Sequence, residues 1–347
     1  MLLQENVPLA PLTTMQVGGP ARFFVEALTT DDVREAVAYS NSRNLPLFVL
    51  GGGSNLIVSD SGWPGLVLKI AIPGINHRHV HGRVYFDVGA GEDWDAFVAT
   101  AVQHNCAGIE CLSGIPGSVG GTPVQNVGAY GQEVSETIVA LTALNMDTGN
   151  EEEFENVDCS FAYRTSLFNT AVRGKYVILR VMFALPHDGE PRLTYGDLKK
   201  HFSGWETKPT LADVREAVRQ IRASKGMLIT AGAPDSRSAG SFFKNPVLTA
   251  DQFDELRQRA AGRGLDVPSY PALDAQRKVS AAWLVEQSGF RKGYESGHAG
   301  ISSKHALAIV NRGGAKAAEI IALKNEIERQ VENTWGVHLE TEPVFLE

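Results

Sequence analysis

Apolar residues recur along this chain with two periods, and the period changes mark its elements. Ala21-Arg-Phe-Phe-Val-Glu26 reads as a strand. A helix follows from Thr30, its N-cap, with Val33, Ala36 and Val37 at helical spacing, and Asn44-Leu-Pro46 ends it. Leu47 to Leu50 is a second strand, completing a β-α-β unit that should be right-handed if its strands are parallel. Leu66 to Ile70 and Val84 to Val88 read as strands joined by a polar turn, and Trp94, Phe97, Val98, Ala101 and Val102 form a helical stripe. Ile138–Met146, Phe161–Ser166 and Tyr176–Phe183 are strand-prone. Thr210 or Asp213 starts a helix with Val214, Ala217, Val218 and Ile221 inward. After a loop at 226–240, helices are expected at 249–261 and 280–288 and from Ala315 to Trp335, with Gly336 as the last stop. The terminal segment 337–346 is strand-like. No period of 20–50 residues repeats, so the class is α+β with several domains.

Composition narrows the class. At 347 residues, the chain exceeds one ordinary core. A net charge of −8 argues against a nucleic-acid binder, although Arg222, Lys225, Lys244, Arg291 and Lys292 are local cations that suit a small anionic ligand. Cys106, Cys111 and Cys159 form no Cys-x-x-Cys pair and read as buried hydrophobes in a reducing compartment. No apolar stretch reaches the length of a membrane span and the N-terminus has no leader pattern, so a cytoplasmic protein is expected.

Two glycine clusters stand out. Gly114 to Gly131 holds six glycines and two prolines in eighteen residues, with small uncharged side chains between them. Such a stretch suits an ordered loop that wraps a ligand with main-chain N–H groups. The second, Gly51-Gly-Gly-Ser-Asn55, follows a strand directly. A dinucleotide fingerprint would need glycine at position 56, which is Leu56, and a P-loop would need a lysine where none lies between Gly51 and Lys69. Together the two runs favour one large, extended, phosphate-bearing ligand.

Other side chains are candidates for chemistry. Ala239 to Pro246 joins Phe242 and Phe243 to Ser241, Lys244 and Asn245. There is no Gly-x-Ser-x-Gly elbow, so Ser241 suits a proton donor better than an acyl nucleophile. Arg164, at the end of an expected strand, offers a planar fork, though an ordinary strand-end arginine is the plainer reading. Glu340 and Glu342 alternate and share a face of the terminal strand; one could serve as an acid–base or positioning group. His77, His79 and His81 alternate too, but Arg78, Arg83 and the adjacent turn favour a solvated hairpin, and no metal is expected.

The chain resembles the flavoenzyme family of UDP-N-acetylenolpyruvoylglucosamine reductases (MurB). The matching blocks are Thr13–Ala21, Leu50–Asn55, Ile115–Gly120, Gln125–Gly131, Tyr163-Arg164 with Ser166, Ala239–Pro246 and Glu340-Thr-Glu342, seven blocks in the family's order. Leu193 to Leu198 is similar to the tyrosine-bearing loop of its type I members. The resemblance implies a two-subdomain FAD-binding fold of the PCMH (vanillyl-alcohol-oxidase-like) type plus a third α+β substrate domain, the C-terminal strand returning to the FAD domain. The boundaries expected are 1–70 with 333–347, 71–228, and 229–332. It also implies non-covalent FAD against Gly51, Gly52, Gly53, Ser54, Asn55, Ile115, Gly117, Ser118, Gly120, Gly121 and Arg164, with NADPH as co-substrate. The implied substrate is a UDP-sugar enol ether in peptidoglycan synthesis, and the implied enzyme a monomer. Ser241 matches the general acid, Arg164 and Glu342 the pair that stabilises developing charge, and Tyr195, Lys225 and Asn245 the diphosphate contacts. His305 stands where some members carry glutamine and is a candidate substrate contact. Thr341 stands where a proline is common, and spacing favours Glu342 over Glu340. An oxidase on the same flavin fold and a non-catalytic nucleotide-binding protein are the alternatives. Against the first, neither glycine run holds a His or Cys to tether flavin; the second leaves Ser241, Arg164 and Glu342 unexplained.

Overall fold

The computed structural model describes residues 1–230, 232–272 and 274–347. The chain packs as two compact units. One comprises Met1–Val7, Ala21–Gly53 and Trp63–Ser224; the other comprises Pro8–Pro20, Ser54–Gly62 and Lys225–Glu347.

In the first unit, alternating apolar positions build two sheets. The smaller runs in the order Gln4–Pro8, Pro20–Ala27, Trp63–Ile70, Leu47–Leu50. Trp63–Ile70 pairs in parallel with the strands on either side, so it lies between the two strands of the expected β-α-β unit. The connecting helix Thr30–Ser42 is capped by Thr29, one residue earlier than expected. The Thr29 hydroxyl accepts from the Asp32 N–H while the Asp32 carboxylate accepts from the Thr29 N–H.

The larger sheet is antiparallel, in the order Glu151–Glu155, Ile138–Asn145, Tyr176–Pro186, Arg83–Gly89, Ile75–Val80. The expected hairpin between Leu66–Ile70 and Val84–Val88 does not form: those strands lie in different sheets, and Ile75–Val80 intervenes as the partner of Arg83–Gly89. The helix Trp94–Gln103 packs its stripe here, with the Phe97 ring 5.6 Å from Phe86 and 4.9 Å from Phe183. A satellite core of Leu198, Phe202, Val214, Ala217 and Val218 joins the short helix Gly196–His201 to the helix Leu211–Ser224.

The second unit is built on the helices Ala250–Ala261, Ala281–Gln287 and Ala317–Trp335 and on small sheets. Ile320, Leu323, Ile327, Val331 and Trp335 face inward from the long helix at the spacing read from sequence, against Phe242 and Phe243. Gly336 ends that helix at φ 70°. Only Val344–Leu346 of the terminal segment is a strand. It returns to pair in parallel with Leu56–Val58, near the N-terminal end of the chain.

Candidate active site

The first unit carries Gly114–Gly131 and the three glycines Gly51–Gly53 of the other run. The turn after Leu47–Leu50 meets the loop Gly114–Gly131 main chain to main chain: a Cβ on Gly52 would fall 2.6 Å from Gly117 Cα, and one on Gly51 would fall 2.8 Å from Ser118 Oγ. Only glycine allows that approach. Gly53 at φ 65° and Gly117 at φ 135° supply the reversals.

Charged groups anchor the loop. The Asp95 carboxylate accepts from the Gly114 N–H at 2.6 Å, and Arg222 Nε donates to the Gly114 carbonyl at 3.1 Å. Arg215 and Arg219 both pair with Asp95. Burial pushes the Asp95 carboxyl up, but Arg215, the Gly114 N–H and Arg219 outweigh it and hold the group below the usual range. Val119, Gly120 and Gly121 spend their N–H groups on the carbonyls of Glu92, Ala90 and Ser118. Gly121 therefore offers a ligand bare Cα surface, whereas a Cβ on Gly120 would fall 2.6 Å from Ala90 Cβ, so its lack of a side chain serves packing.

Arg164 does not end a strand. Ala162 and Thr165 exchange main-chain hydrogen bonds at 2.9 and 3.1 Å, making a tight reversal with Arg164 at φ 55°. Asn126, from the glycine loop, donates to the Ala162 carbonyl, and Ser166 Oγ donates to that of Val124, so the reversal is clamped to the loop. The Arg164 guanidinium donates to Gly128 O at 2.7 Å. Tyr195 is the N-cap residue of Gly196–His201. It is partly exposed, its ring edge-on to Tyr130 at 5.3 Å.

In the second unit the main chain of Phe242–Lys244 runs antiparallel to Glu340–Glu342. The Glu342 N–H donates to Phe242 O at 3.0 Å, the Lys244 N–H donates to Glu340 O at 2.9 Å, and Phe243 faces Thr341. This pairing brings half-buried Ser241, just past Gly240 at φ 75°, beside the extended segment bearing half-buried Glu342. Phe242 and Phe243 are buried core anchors. Glu340 is exposed and pairs with Lys244 at 3.3 Å. Asn55 Nδ2 donates to the Glu342 carbonyl at 3.0 Å, and the Asn55 carbonyl accepts from the Val344 N–H. The Ser54 carbonyl accepts from Thr14 Oγ1 at 3.3 Å. Asn245 Oδ1 accepts from the Ala281 N–H at 2.9 Å, at the start of Ala281–Gln287.

Lys225 and Lys292 are cations that act on buried, neutral His305. Burial first, then Lys225 and Lys292, pull the His305 pKa down to about 4. Its Nδ1 accepts from the Leu307 N–H at 3.1 Å, which leaves the neutral ring's proton on Nε2.

Other groups have structural settings. All three cysteines are free and buried, and burial raises their thiols, to about 11 for Cys106 and Cys159. His77 and His79 share a strand face, with the rings of His104 and His187 at 4.6 and 5.2 Å from them, while His81 lies past the strand at φ 46°. Among the described residues no three His, Cys, Asp or Glu side chains converge as a metal-ligand set. Among the described residues, too, no helix is long and apolar enough to cross a membrane.

Three positioning groups were not read from sequence as such. Arg222 continues the buried stripe of Val214 and Val218 at i+4 spacing, and Glu110 stands alone in the apolar run 106–112. A charge inside an apolar pattern is the signal for each. Asp95, next to buried Trp94, gave no such signal.

The fit to FAD rests on these glycines and on Ser118. Among the described residues two buried side-chain polar atoms have no hydrogen-bond partner, Ser118 Oγ and Trp335 Nε1, and only the first lies where the glycine runs meet. An unmet hydroxyl in a cradle that a single Cβ would fill suits a phosphate-bearing cofactor.

The profile of the FAD binding domain matches residues 21–154. With the mixed sheets and a separate C-terminal domain, this defines an FAD-containing oxidoreductase of the PCMH-type fold. The C-terminal domain of UDP-N-acetylenolpyruvoylglucosamine reductase matches residues 233–346. The UDP-N-acetylenolpyruvoylglucosamine reductase of Thermobifida fusca is 44% identical over 349 residues, covering 99% of this chain and 97% of that one. That of Streptomyces coelicolor is 44% identical over 347 residues, covering 98% and 89%. The crystal structure of UDP-N-acetylenolpyruvylglucosamine reductase (MurB) from Thermus caldophilus covers 100% of both chains at a TM-score of 0.67 and 25% identity. This chain belongs to the UDP-N-acetylenolpyruvoylglucosamine reductase family.

Proposed function

We propose that this chain reduces UDP-N-acetylenolpyruvoylglucosamine to UDP-N-acetylmuramate with NADPH, in bacterial peptidoglycan synthesis, as a cytoplasmic monomer that acts on a small molecule and takes no nucleic acid. The proposed division of labour is 1–70 with 333–347 and 71–228 for FAD, and 229–332 for the substrate. Bound FAD supplies hydride transfer, from NADPH to the enolpyruvyl double bond. Gly51–Asn55 and Ile115–Gly121 hold the cofactor, Ser118 contributing its unmet hydroxyl.

Hydride addition at the vinyl terminus leaves carbanion character beside the substrate carboxylate, and Ser241 Oγ–H protonates that carbon. A hydroxyl suffices because an enolic carbanion is a strong base, so no group with a pKa near neutrality is required. Arg164, already fixed on the Gly128 carbonyl, contributes positive charge that needs no reorganisation during the reaction. Glu342 is the carboxylate of the pair, half-buried beside Ser241 where Glu340 is exposed. Tyr195, Lys225 and Asn245 bind the diphosphate, and neutral His305 adds an Nε2–H donor.

The observation that carries the proposal is the pairing of Phe242–Lys244 with Glu340–Glu342. Two main-chain hydrogen bonds there join the segment that follows Ser241 to the segment that carries Glu342, from distant parts of the chain. Stopped-flow half-reactions test it. Ser241→Ala should leave flavin reduction by NADPH near wild-type and slow reoxidation by substrate by about 10²–10⁴-fold. An equal loss in both half-reactions would make Ser241 structural.

A further inference from the structure

Glu110 is a carboxylate with no exposed surface, sitting between Ile109 and Cys111. Burying such a charge is costly unless its geometry is well satisfied. Here it is. Oε2 accepts from the Gly108 N–H at 2.7 Å, and Oε1 accepts from Gln132 Nε2 at 2.8 Å and from the Arg192 N–H at 2.9 Å. These donors come from three places: Glu110's own turn, the residue just past the glycine loop, and the start of the segment that carries Tyr195. Gln132 returns a bond, its Oε1 accepting from the Cys111 N–H at 2.8 Å.

Three further contacts join the same two segments. Arg192 Nη1 donates to the Gly131 carbonyl at 2.7 Å. A Cβ on Gly131 would fall 2.8 Å from Thr194 Oγ1, so the end of the glycine loop lies directly on the residue before Tyr195. The Tyr130 ring, from the loop, meets the Tyr195 ring edge-on. Tyr195 is itself partly exposed, so its placement depends on this backing.

We infer that Glu110, with Gln132 and Arg192, is a positioning residue that sets the Tyr195 segment on the end of the glycine loop, so that the end of the loop backs the substrate grip. This rests on Tyr195 being a substrate contact. A glutamine at 110 would turn one acceptor into a donor facing donors; a smaller or apolar residue would leave Gln132 and the Arg192 N–H unmet.

The test uses the FAD-loaded enzyme with NADPH and the UDP-sugar enol ether, and compares Glu110→Gln, Arg192→Gln and Tyr195→Phe alone and in pairs. Arg192→Gln loosens the same brace from its partly exposed side and guards against a misfolded Glu110 variant. Both brace variants should raise substrate KM, by about tenfold for Glu110→Gln, with flavin reduction by NADPH and FAD affinity unchanged. Adding Tyr195→Phe to either should cost less than it costs alone. If Glu110→Gln fails to fold, the Arg192→Gln pair decides by the same criteria. An effective Tyr195→Phe with wild-type KM in the folded brace variants, or full additivity, overturns the brace. A Tyr195→Phe enzyme with wild-type KM overturns the Tyr195 assignment and the brace with it, whatever Ser241→Ala does.

Discussion

Gly52→Ala is the sharpest test of the cradle, because its backbone stays in an ordinary conformation and only space is at stake. The new methyl would sit 2.6 Å from Gly117 Cα, 2.7 Å from its carbonyl carbon and 2.8 Å from the Ser118 nitrogen, all main chain. Ordinary contact begins at 3.4 Å, so the two glycine runs must part by about 0.8 Å, and no flexible side chain can absorb it. Overpacking of this kind costs about 1–3 kcal/mol. If the runs hold one ligand between them, a comparable share appears as lost affinity, raising the FAD Kd by about five- to 150-fold. Quenching of flavin fluorescence on titration into apoprotein measures it, with a thermal melt alongside. Gly262→Ala is the control: its Cβ would meet Arg259 O and Gln258 O at 3.7 Å, at the helix end with φ −61°. A Gly52→Ala protein that folds and binds FAD like the wild type would refute a shared cradle.

The remaining predictions concern charge. His305 takes up its proton only near pH 4 in the folded chain but near 6.5 when unfolded. Its penalty is therefore absent above about pH 6.5 and grows to about 3 kcal/mol as pH falls through 4. His305→Gln should flatten the loss of stability over that window in urea melts at several pH values; an unchanged slope would place the ring elsewhere. Lys225→Ala should raise substrate KM, and it should also lift the His305 titration seen by NMR, since Lys225 is one cause of its depression; no movement of that titration would separate the two groups. Asp95→Asn should cost about 2 kcal/mol at neutral pH, less than a fully buried pair because the side chain is 23% exposed. Because Asp95 is held below the usual carboxylate range, that contribution stands above about pH 4 and disappears as pH falls through its lowered pKa. Denaturant midpoints at pH 7 and pH 3 measure it, and an equal deficit at both would mean that charge is not what Asp95 contributes.

Local patterns determined a good deal of this protein. Period and capping placed the longer helices to within a few residues, from Thr30–Ser42 to Ala317–Trp335, because amphipathic stripes and Gly336 act over a few turns of chain, whereas the short helix Gly196–His201 was not read. The glycine runs announced a close approach, since nothing else explains so many residues without side chains. Sequence order also ranked Ser241, Arg164 and Glu342 as chemical candidates through the family pattern.

Tertiary structure decided what local patterns cannot encode. That Trp63–Ile70 slots between its parallel neighbours, and that Phe161–Ser166 forms a clamped reversal, depends on contacts between residues far apart in sequence. So do the meeting of Gly52 with Gly117, the main-chain bridge of Phe243 with Thr341, and the ion pair of Glu340 with Lys244. Glu110 and Arg222 show why. A charge in an apolar stretch signals that a partner exists, but its identity is settled only when folding brings a distant N–H or carbonyl within about 3 Å of it.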